Sequence, residues 1–224
     1  MKILVINPNS DAAMTAAIQR SAEAFAQGAF EVRTVSTPGA PTFIESHASE
    51  IQCGPGMLGL MEEYEGDYDA FVIACHSDVN IEAVREATRK PVIGIGEASM
   101  KLASFLGRTF SVVTTHRHSV PGKLEQIRRL HLQDQVASVR PPDPGDEGLG
   151  AADLFVELSR RARDEDGAEV IVLGCAGLAG MDRTIRETLD LPVLDGVVCA
   201  LILATGFARY GVGTSKVLYY EPEF

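Results

Sequence analysis

Two runs one hundred positions apart constrain this chain more than anything else in it: Phe71-Val72-Ile73-Ala74-Cys75 and Ile171-Val172-Leu173-Gly174-Cys175. Each is a short apolar run that ends on a cysteine. Each is followed at a similar interval by another, Pro91-Val92-Ile93-Gly94 and Pro192-Val193-Leu194-Asp195. The opening segment Ile6-Asn7-Pro8-Asn9-Ser10 likewise has a counterpart in Val112-Val113-Thr114-Thr115-His116. A period of that length is too long for a solenoid. It predicts two duplicated lobes related by a pseudo-twofold axis.

The apolar runs read as strands: Lys2–Ile6, Phe30–Val35, Ala70–Ala74, Pro91–Gly94, Thr109–Thr114, Gln135–Val139, Val170–Leu173 and Pro192–Leu194. They are continuous rather than alternating, as parallel strands buried on both faces should be. Between them lie segments of helical period, such as Met14, Ile18, Ser21 and Phe25, or Leu124, Ile127 and Leu130. Strand alternating with helix predicts an α/β fold of two similar lobes with mainly parallel sheets and a site in the cleft between them. The boundaries expected are 1–96 plus 207–224 for the first lobe and 97–206 for the second. Gln52-Cys53-Gly54-Pro55-Gly56 is expected to interrupt a helix, and Arg140–Gly148 to form a surface loop.

Composition narrows the function classes. The net charge is −11, and no cluster of basic residues offers a footprint for a phosphate backbone, so nucleic acid is not an expected partner. A small anion is still allowed, because backbone N–H groups at helix starts bind anions locally. The N-terminal apolar run is too short for a signal peptide, and no stretch has membrane-spanning length. A soluble, cytoplasmic chain is expected. The four cysteines, Cys53, Cys75, Cys175 and Cys199, form no C-x-x-C pair, and a reducing compartment argues against disulfides.

Cys75 and Cys175 carry the chemistry in this reading. Both follow a buried strand, where open α/β sheets bind ligands. A pseudo-twofold axis would face the two thiols across a cleft, which suits removing a proton from one face of a carbon and delivering one to the other. Helices expected at Val79–Thr88 and Gly180–Thr188 would lower both thiol pKa values through their N-termini. Gly174-Cys175-Ala176-Gly177 would leave N–H groups free for a developing enolate. A lone cysteine after a strand is usually a packing residue; two at equivalent places are not. Cys53 and Cys199, the latter within an apolar helix expected at Gly196–Tyr210, read as structural.

With these residues in view the chain resembles the aspartate/glutamate/hydantoin racemase superfamily, and within it the hydantoin and allantoin racemase branch. The resemblance is carried by Ile6-Asn7-Pro8-Asn9-Ser10, Pro41-Thr42-Phe43-Ile44-Glu45-Ser46, Ala74-Cys75-x-x-Asp78, Val113-Thr114-Thr115 and Leu173-Gly174-Cys175-Ala176-Gly177. It implies two α/β lobes, proton transfer by Cys75 and Cys175 without metal or other cofactor, a small-molecule substrate of hydantoin or small-carboxylate type, and a homo-oligomer. It also implies substrate contacts at Asn9 and Ser10, at His76 and Ser77, at Thr114 and Thr115, and at Ala176 and Gly177. The run Cys75-His76-Ser77-Asp78-Val79-Asn80 departs from the branch, which carries an aromatic residue or Gly followed by Asp-Asp-Pro or Gly-Asp-Pro. Aspartate or glutamate racemisation, maleate-type isomerisation and malonate decarboxylation stay open as alternatives on the same scaffold, as does a non-enzymatic binding module.

The remaining signals are weaker. Phe43 and His47 belong to a segment read either as a cover over the site or as a surface turn. His76 is read either as tuning Cys75 or touching substrate, or as pointing away. Asp78 suits an N-cap of the helix that follows it, and Ser10 or Asp11 a cap of the first helix. His116-Arg117-His118 lacks a third ligand motif and reads as a solvated loop. Gly94-Ile95-Gly96-Glu97-Ala98-Ser99 lacks the third glycine of a dinucleotide loop and reads as a strand-to-helix turn.

Overall fold

All eight apolar runs form strands in the computed structural model, which describes residues 1–221. Residues 222–224, assigned above to the first lobe, lie outside the described residues. The first sheet contains β1 (Lys2–Asn7), β2 (Glu31–Ser36), β3 (Ala70–Ile73) and β4 (Val92–Gly94) in the order β2-β1-β3-β4. The second contains β5 (Phe110–Val113), β6 (Val136–Arg140), β7 (Val170–Leu173) and β8 (Val193–Leu194) in the order β6-β5-β7-β8. Every pairing is parallel, and the order of the second sheet repeats that of the first. The central pairs correspond in register as well: Val5 lies opposite Val72, and Val112 opposite Val172.

Parallel neighbours need crossover connections, and helices supply them. The connecting helices are α1 (Ala12–Ala26), α2 (His47–Tyr64), α3 (Ile81–Ala87), α4 (Ile95–Leu106), α5 (Val120–Arg129), α6 (Ala151–Asp164), α7 (Asp182–Leu189) and α8 (Gly196–Tyr210). Asp11 caps α1, its carboxylate accepting the N–H groups of Ala13 and Met14 at 2.8 and 3.0 Å. With helices on both faces, the central strands β3 and β7 are buried along their whole length. Full burial of a side chain such as Phe71 or Ile73 stabilises the fold by about 1.5–3 kcal/mol.

The last helix of each repeat crosses to the other sheet. Helix α4 follows β4 of the first sheet but packs on β5 and β7 of the second. Helix α8 follows β8 of the second sheet but packs on β1, β3 and β4 of the first, and the two helices lie against each other. Val197, Ala200, Leu201 and Ala204 of α8 thus share one apolar cluster with Ile3, Val5 and Val72, while Met100 and Ala103 of α4 share another with Phe110 and Val170. The exchange ties the lobes together through their cores. The chain beyond α8 returns to the first sheet, where Thr214 donates its N–H to Arg89 O at 2.9 Å.

One expectation fails. Gln52–Gly56 does not interrupt a helix; α2 runs through it with Pro55 inside. Pro55 removes an N–H and crowds the preceding turn, normally a cost of about 3 kcal/mol. Here Cys53, Met57, Leu60 and Met61 form a buried stripe at helical spacing that outweighs it. Gly56 allows the turn to press on the chain end of the first sheet, since a Cβ there would lie 2.2 Å from Pro38 O. Among the described residues no helix is long and apolar enough to cross a membrane.

Candidate active site

The four central strands end at one cleft with an internal volume of about 140 Å³. Strand β1 delivers Asn7 and Asn9, β3 delivers Cys75, His76 and Ser77, β5 delivers Thr114 and Thr115, and β7 delivers Gly174, Cys175 and Ala176. This is the carboxyl-end crevice expected of parallel sheets, doubled because there are two sheets.

The two cysteine loops mirror each other residue by residue. From Phe71 and from Ile171 onward, four buried positions are followed by a half-buried cysteine, a buried residue, an exposed residue and a buried one. At the second site Gly177 donates its N–H to Cys175 Sγ at 3.4 Å. The thiols are near enough that a charge on Cys175 acts on Cys75. Burial pushes the Cys75 thiol up to about 12, opposed by the Ser77 N–H and by the ammonium of Lys123.

The expectation that helix starts would lower both pKa values is corrected for Cys75. Helix α3 begins only at Ile81, after Asn80 in a left-handed conformation (φ 54°). The loop's acidic residue serves another helix: Asp78 accepts the N–H groups of Gly96 and Glu97 at 2.8 and 2.7 Å, in the first turn of α4. Asp78 is therefore a helix cap, but of α4 rather than of the helix next in sequence. Burial, and then the nearby Glu97 charge, push its carboxyl up to about 7 against the pull of these donors.

The polar wall is held by local hydrogen bonds. Asn7, fully buried, donates from Nδ2 to Asn9 Oδ1 at 2.8 Å and to Thr15 Oγ1 at 2.9 Å. Asn9 then donates to Met14 Sδ at 3.2 Å, which fixes its amide at the cleft. Ser119 gives its proton to His116 O at 2.7 Å, so Thr114 is the donor in its 2.8 Å contact with Ser119 Oγ. Thr115 meets His116 Nδ1 at 2.8 Å.

Of the residues singled out in the sequence, Asn9, Phe43, Cys75, His76, Ser77, Thr114, Thr115, Cys175 and Ala176 line the cleft together. Phe43 sits there half-exposed. Ser10 is exposed outside the lining and donates its N–H to Pro41 O at 3.0 Å. Gly177 stands behind Cys175, with its N–H on the thiol rather than in the cleft. His47 is fully exposed at the start of α2, paired with Glu50 at 3.1 Å. His116 and His118, read as solvated loop residues, are exposed but border the cleft.

Sequence reasoning passed over Lys123, which lines the cleft floor and contacts His76 Nδ1 at 3.1 Å. A signal existed. Lys123 and Gln126 share the buried face of α5 with Ile127, where a helix should carry apolar residues. Among the described residues no group of three or more His, Cys, Asp or Glu side chains is placed to hold a metal ion.

A duplicated parallel α/β scaffold with a thiol at the end of each equivalent central strand defines a two-lobed protein with both thiols lining one cleft. The chain belongs to the Asp/Glu/Hydantoin racemase family, whose profile matches residues 3–204. It is 38% identical over 228 residues to the hydantoin racemase of Pseudomonas sp. (strain NS671), covering 99% of this chain and 91% of that protein. It is 36% identical over 230 residues to the hydantoin racemase of Rhizobium meliloti, covering 98% and 94%. The solved allantoin racemase from Klebsiella pneumoniae superposes with a TM-score of 0.92 at 32% identity, over 100% of this chain and 94% of that one.

Proposed function

We propose that this protein racemises a 5-substituted hydantoin or allantoin by two-thiol 1,1-proton transfer, without a metal or other cofactor. The observation that carries the proposal is the mirrored pair of cysteine loops, each presenting a half-buried thiol to one cleft. One thiolate takes the proton from the stereogenic carbon, and the opposite thiol returns one to the other face. The roles exchange for the other enantiomer. Asn9, Thr114 and Thr115 hold the ring by its amide and carbonyl groups, and Ala176 and Phe43 supply apolar contact. The two relatives and the solved structure named above support the hydantoin-type substrate.

The same reading includes a cytoplasmic homo-oligomer. Exposed apolar side chains on α4 (Phe105, Leu106) and α8 (Ile202, Phe207, Tyr210) support self-association, and sedimentation equilibrium measures it.

The deciding experiment is incubation with single enantiomers of several 5-substituted hydantoins, allantoin, aspartate and glutamate, followed by polarimetry. Loss of optical rotation with a hydantoin or allantoin is expected. Loss confined to aspartate or glutamate would overturn the substrate assignment.

A further inference from the structure

Lys123 is a buried lysine that forms no ion pair with a carboxylate among the described residues; Asp78, the nearby acid, is taken up by other donors. It is 4% exposed, and its hydrogen-bond partner among the described residues is a neutral ring. An unpaired ammonium held out of water is costly, so its place at the floor of the cleft calls for a partner during function.

Its reach is informative. The side chain passes Gly174 so closely that a Cβ on that residue would lie 3.2 Å from Lys123 Cε, and it ends at His76 Nδ1, 3.1 Å away. Gly174 directly precedes Cys175, and His76 directly follows Cys75. The ammonium thus bridges the two cysteine loops. An ammonium has no lone pair, so His76 Nδ1 is the acceptor and Nε2 carries the ring proton. Nε2 faces Ser99 Oγ at 3.4 Å, and Ser99 passes its own proton to Ile95 O at 2.7 Å. His76 is therefore a locked, neutral holder of the lysine, with no free nitrogen for a thiol proton. One of the three ammonium protons is used on His76; two remain for the cleft.

We propose that Lys123 is the resident counter-charge of the proton-transfer site: held by His76 between the two cysteine loops, its ammonium stabilises whichever of Cys75 and Cys175 is ionised during turnover. This rests on the two-thiol mechanism proposed above. The proton balance closes. The thiolate becomes a thiol by taking the carbon-bound proton, the opposite thiol becomes a thiolate by giving its own, and the pair keeps a charge of −1 throughout. The ammonium keeps all its protons and faces a single negative charge that moves from one side to the other. A cation bridging both loops serves both directions of a racemisation.

The other ionisable groups around it come from every neighbouring element. The loop after β3 brings Cys75, His76 and Asp78, and the loop after β7 brings Cys175. Glu45, His116 and His118 stand on the cleft wall, and Glu97 of α4 lies behind Asp78. Asp78 is occupied by Gly96, Glu97 and Gln126. Lys123 is the buried cation among them.

The test needs no substrate. Iodoacetamide alkylation of each cysteine is followed by peptide mass spectrometry at about pH 8, where the rate tracks the thiolate fraction. In Lys123→Met, which keeps shape and loses charge, alkylation of Cys75 and Cys175 should slow about tenfold or more, as expected for losing a neighbouring cation. Lys123→Arg should stay within about threefold of wild type. Cys53 and Cys199, buried elsewhere, are internal controls for an intact fold. If Lys123→Met exposes them, Lys123→Gln, which retains a donor for His76, is read by the same ratio. Rates at Cys75 and Cys175 within about twofold of wild type, with both controls still protected, would overturn the proposal. That result would leave racemisation itself untouched. Conversely, slowed alkylation in a protein that racemises no hydantoin would sustain the counter-charge and remove the proposed activity.

Discussion

Gln126 donates from Nε2 to Asp78 Oδ2 at 2.8 Å, joining helix α5 of the second lobe to the loop that carries Cys75 in the first. With the N–H groups of Gly96 and Glu97, three donors converge on one buried carboxylate. The second lobe makes a corresponding tie with the carboxylate on the opposite side. There Asp195 caps α8 through Val197 N–H at 2.8 Å and accepts Gly180 N–H at 2.9 Å from the loop after Cys175. Ser21 of α1 adds a hydrogen bond to it at 2.8 Å. Each cysteine loop is thus clamped to the start of a helix that crosses between the lobes.

Removing the first clamp should be costly. In Asp78→Ala two backbone N–H groups and an amide lose their buried acceptor, so stability should fall by about 2–4 kcal/mol. Urea unfolding followed by circular dichroism measures it. A loss below about 1 kcal/mol would mean that water replaces the carboxylate and that the clamp is not structural.

His76 should make the fold acid-sensitive. Burial, reinforced by the Lys123 charge, holds its pKa well below the ordinary imidazole value of 6.5. Between the depressed folded value and the ordinary unfolded one, the unfolded chain binds the proton and the folded chain does not. The stability contribution is therefore complete above about pH 6.5 and is lost as the pH falls below it, by up to about 1.4 kcal/mol per pH unit. His76→Asn, whose side-chain oxygen can accept from Lys123, should flatten that part of the profile. Parallel acid profiles for the two proteins would contradict the placement of a neutral ring here.

Two-sided proton transfer has a distinct isotopic signature. Cys75→Ser and Cys175→Ser should each abolish racemisation, because a serine hydroxyl is a poor base and a weak acid at neutral pH. In D₂O each variant should still exchange the carbon-bound hydrogen of one enantiomer without inverting it, and the two variants should choose opposite enantiomers. Proton NMR of recovered substrate shows which one has exchanged. Exchange of the same enantiomer by both variants would place the two thiols on one face.

Alkylation should separate the four cysteines by access. Cys75 and Cys175 are half-buried at the cleft, whereas Cys53 and Cys199 are buried in the cores. Iodoacetamide should reach the first pair first, and activity should decline in step. Because burial pushes Cys75 up to about 12, its labelling rate should climb about tenfold per pH unit from neutrality with no plateau below about pH 11. Early labelling of Cys199 would disprove this order of access.

The duplicated α/β plan was legible in the sequence because its signals are local. Continuous runs such as Phe71–Ile73 and Val170–Leu173 read as strands buried on both faces, and their spacing repeats. The positions of Cys75 and Cys175 at strand ends followed from the same runs, and a cap at Ser10 or Asp11 from local side-chain chemistry, the structure choosing Asp11. The packing of α8 on the first sheet was not legible, and most of that helix was assigned to the second lobe, since helices of either lobe carry the same apolar period. Pro55 misled for a related reason: a breaker is local, but the stripe of Cys53, Met57 and Leu60 that overrides it acts only when packed. Asp78 sits three residues after Cys75 in the chain yet caps a helix that begins past the next strand. Lys123 stands four residues before Ile127 on the buried face of α5, but its contact with His76 exists only once α5 lies against the cysteine loops. Strands are decided by neighbours within a few residues and the repeat by recurrence along the chain, and so the chain alone determined them. Which buried charge meets which thiol is decided by desolvation and contact between segments far apart in sequence, and these exist only once the two lobes have closed on each other.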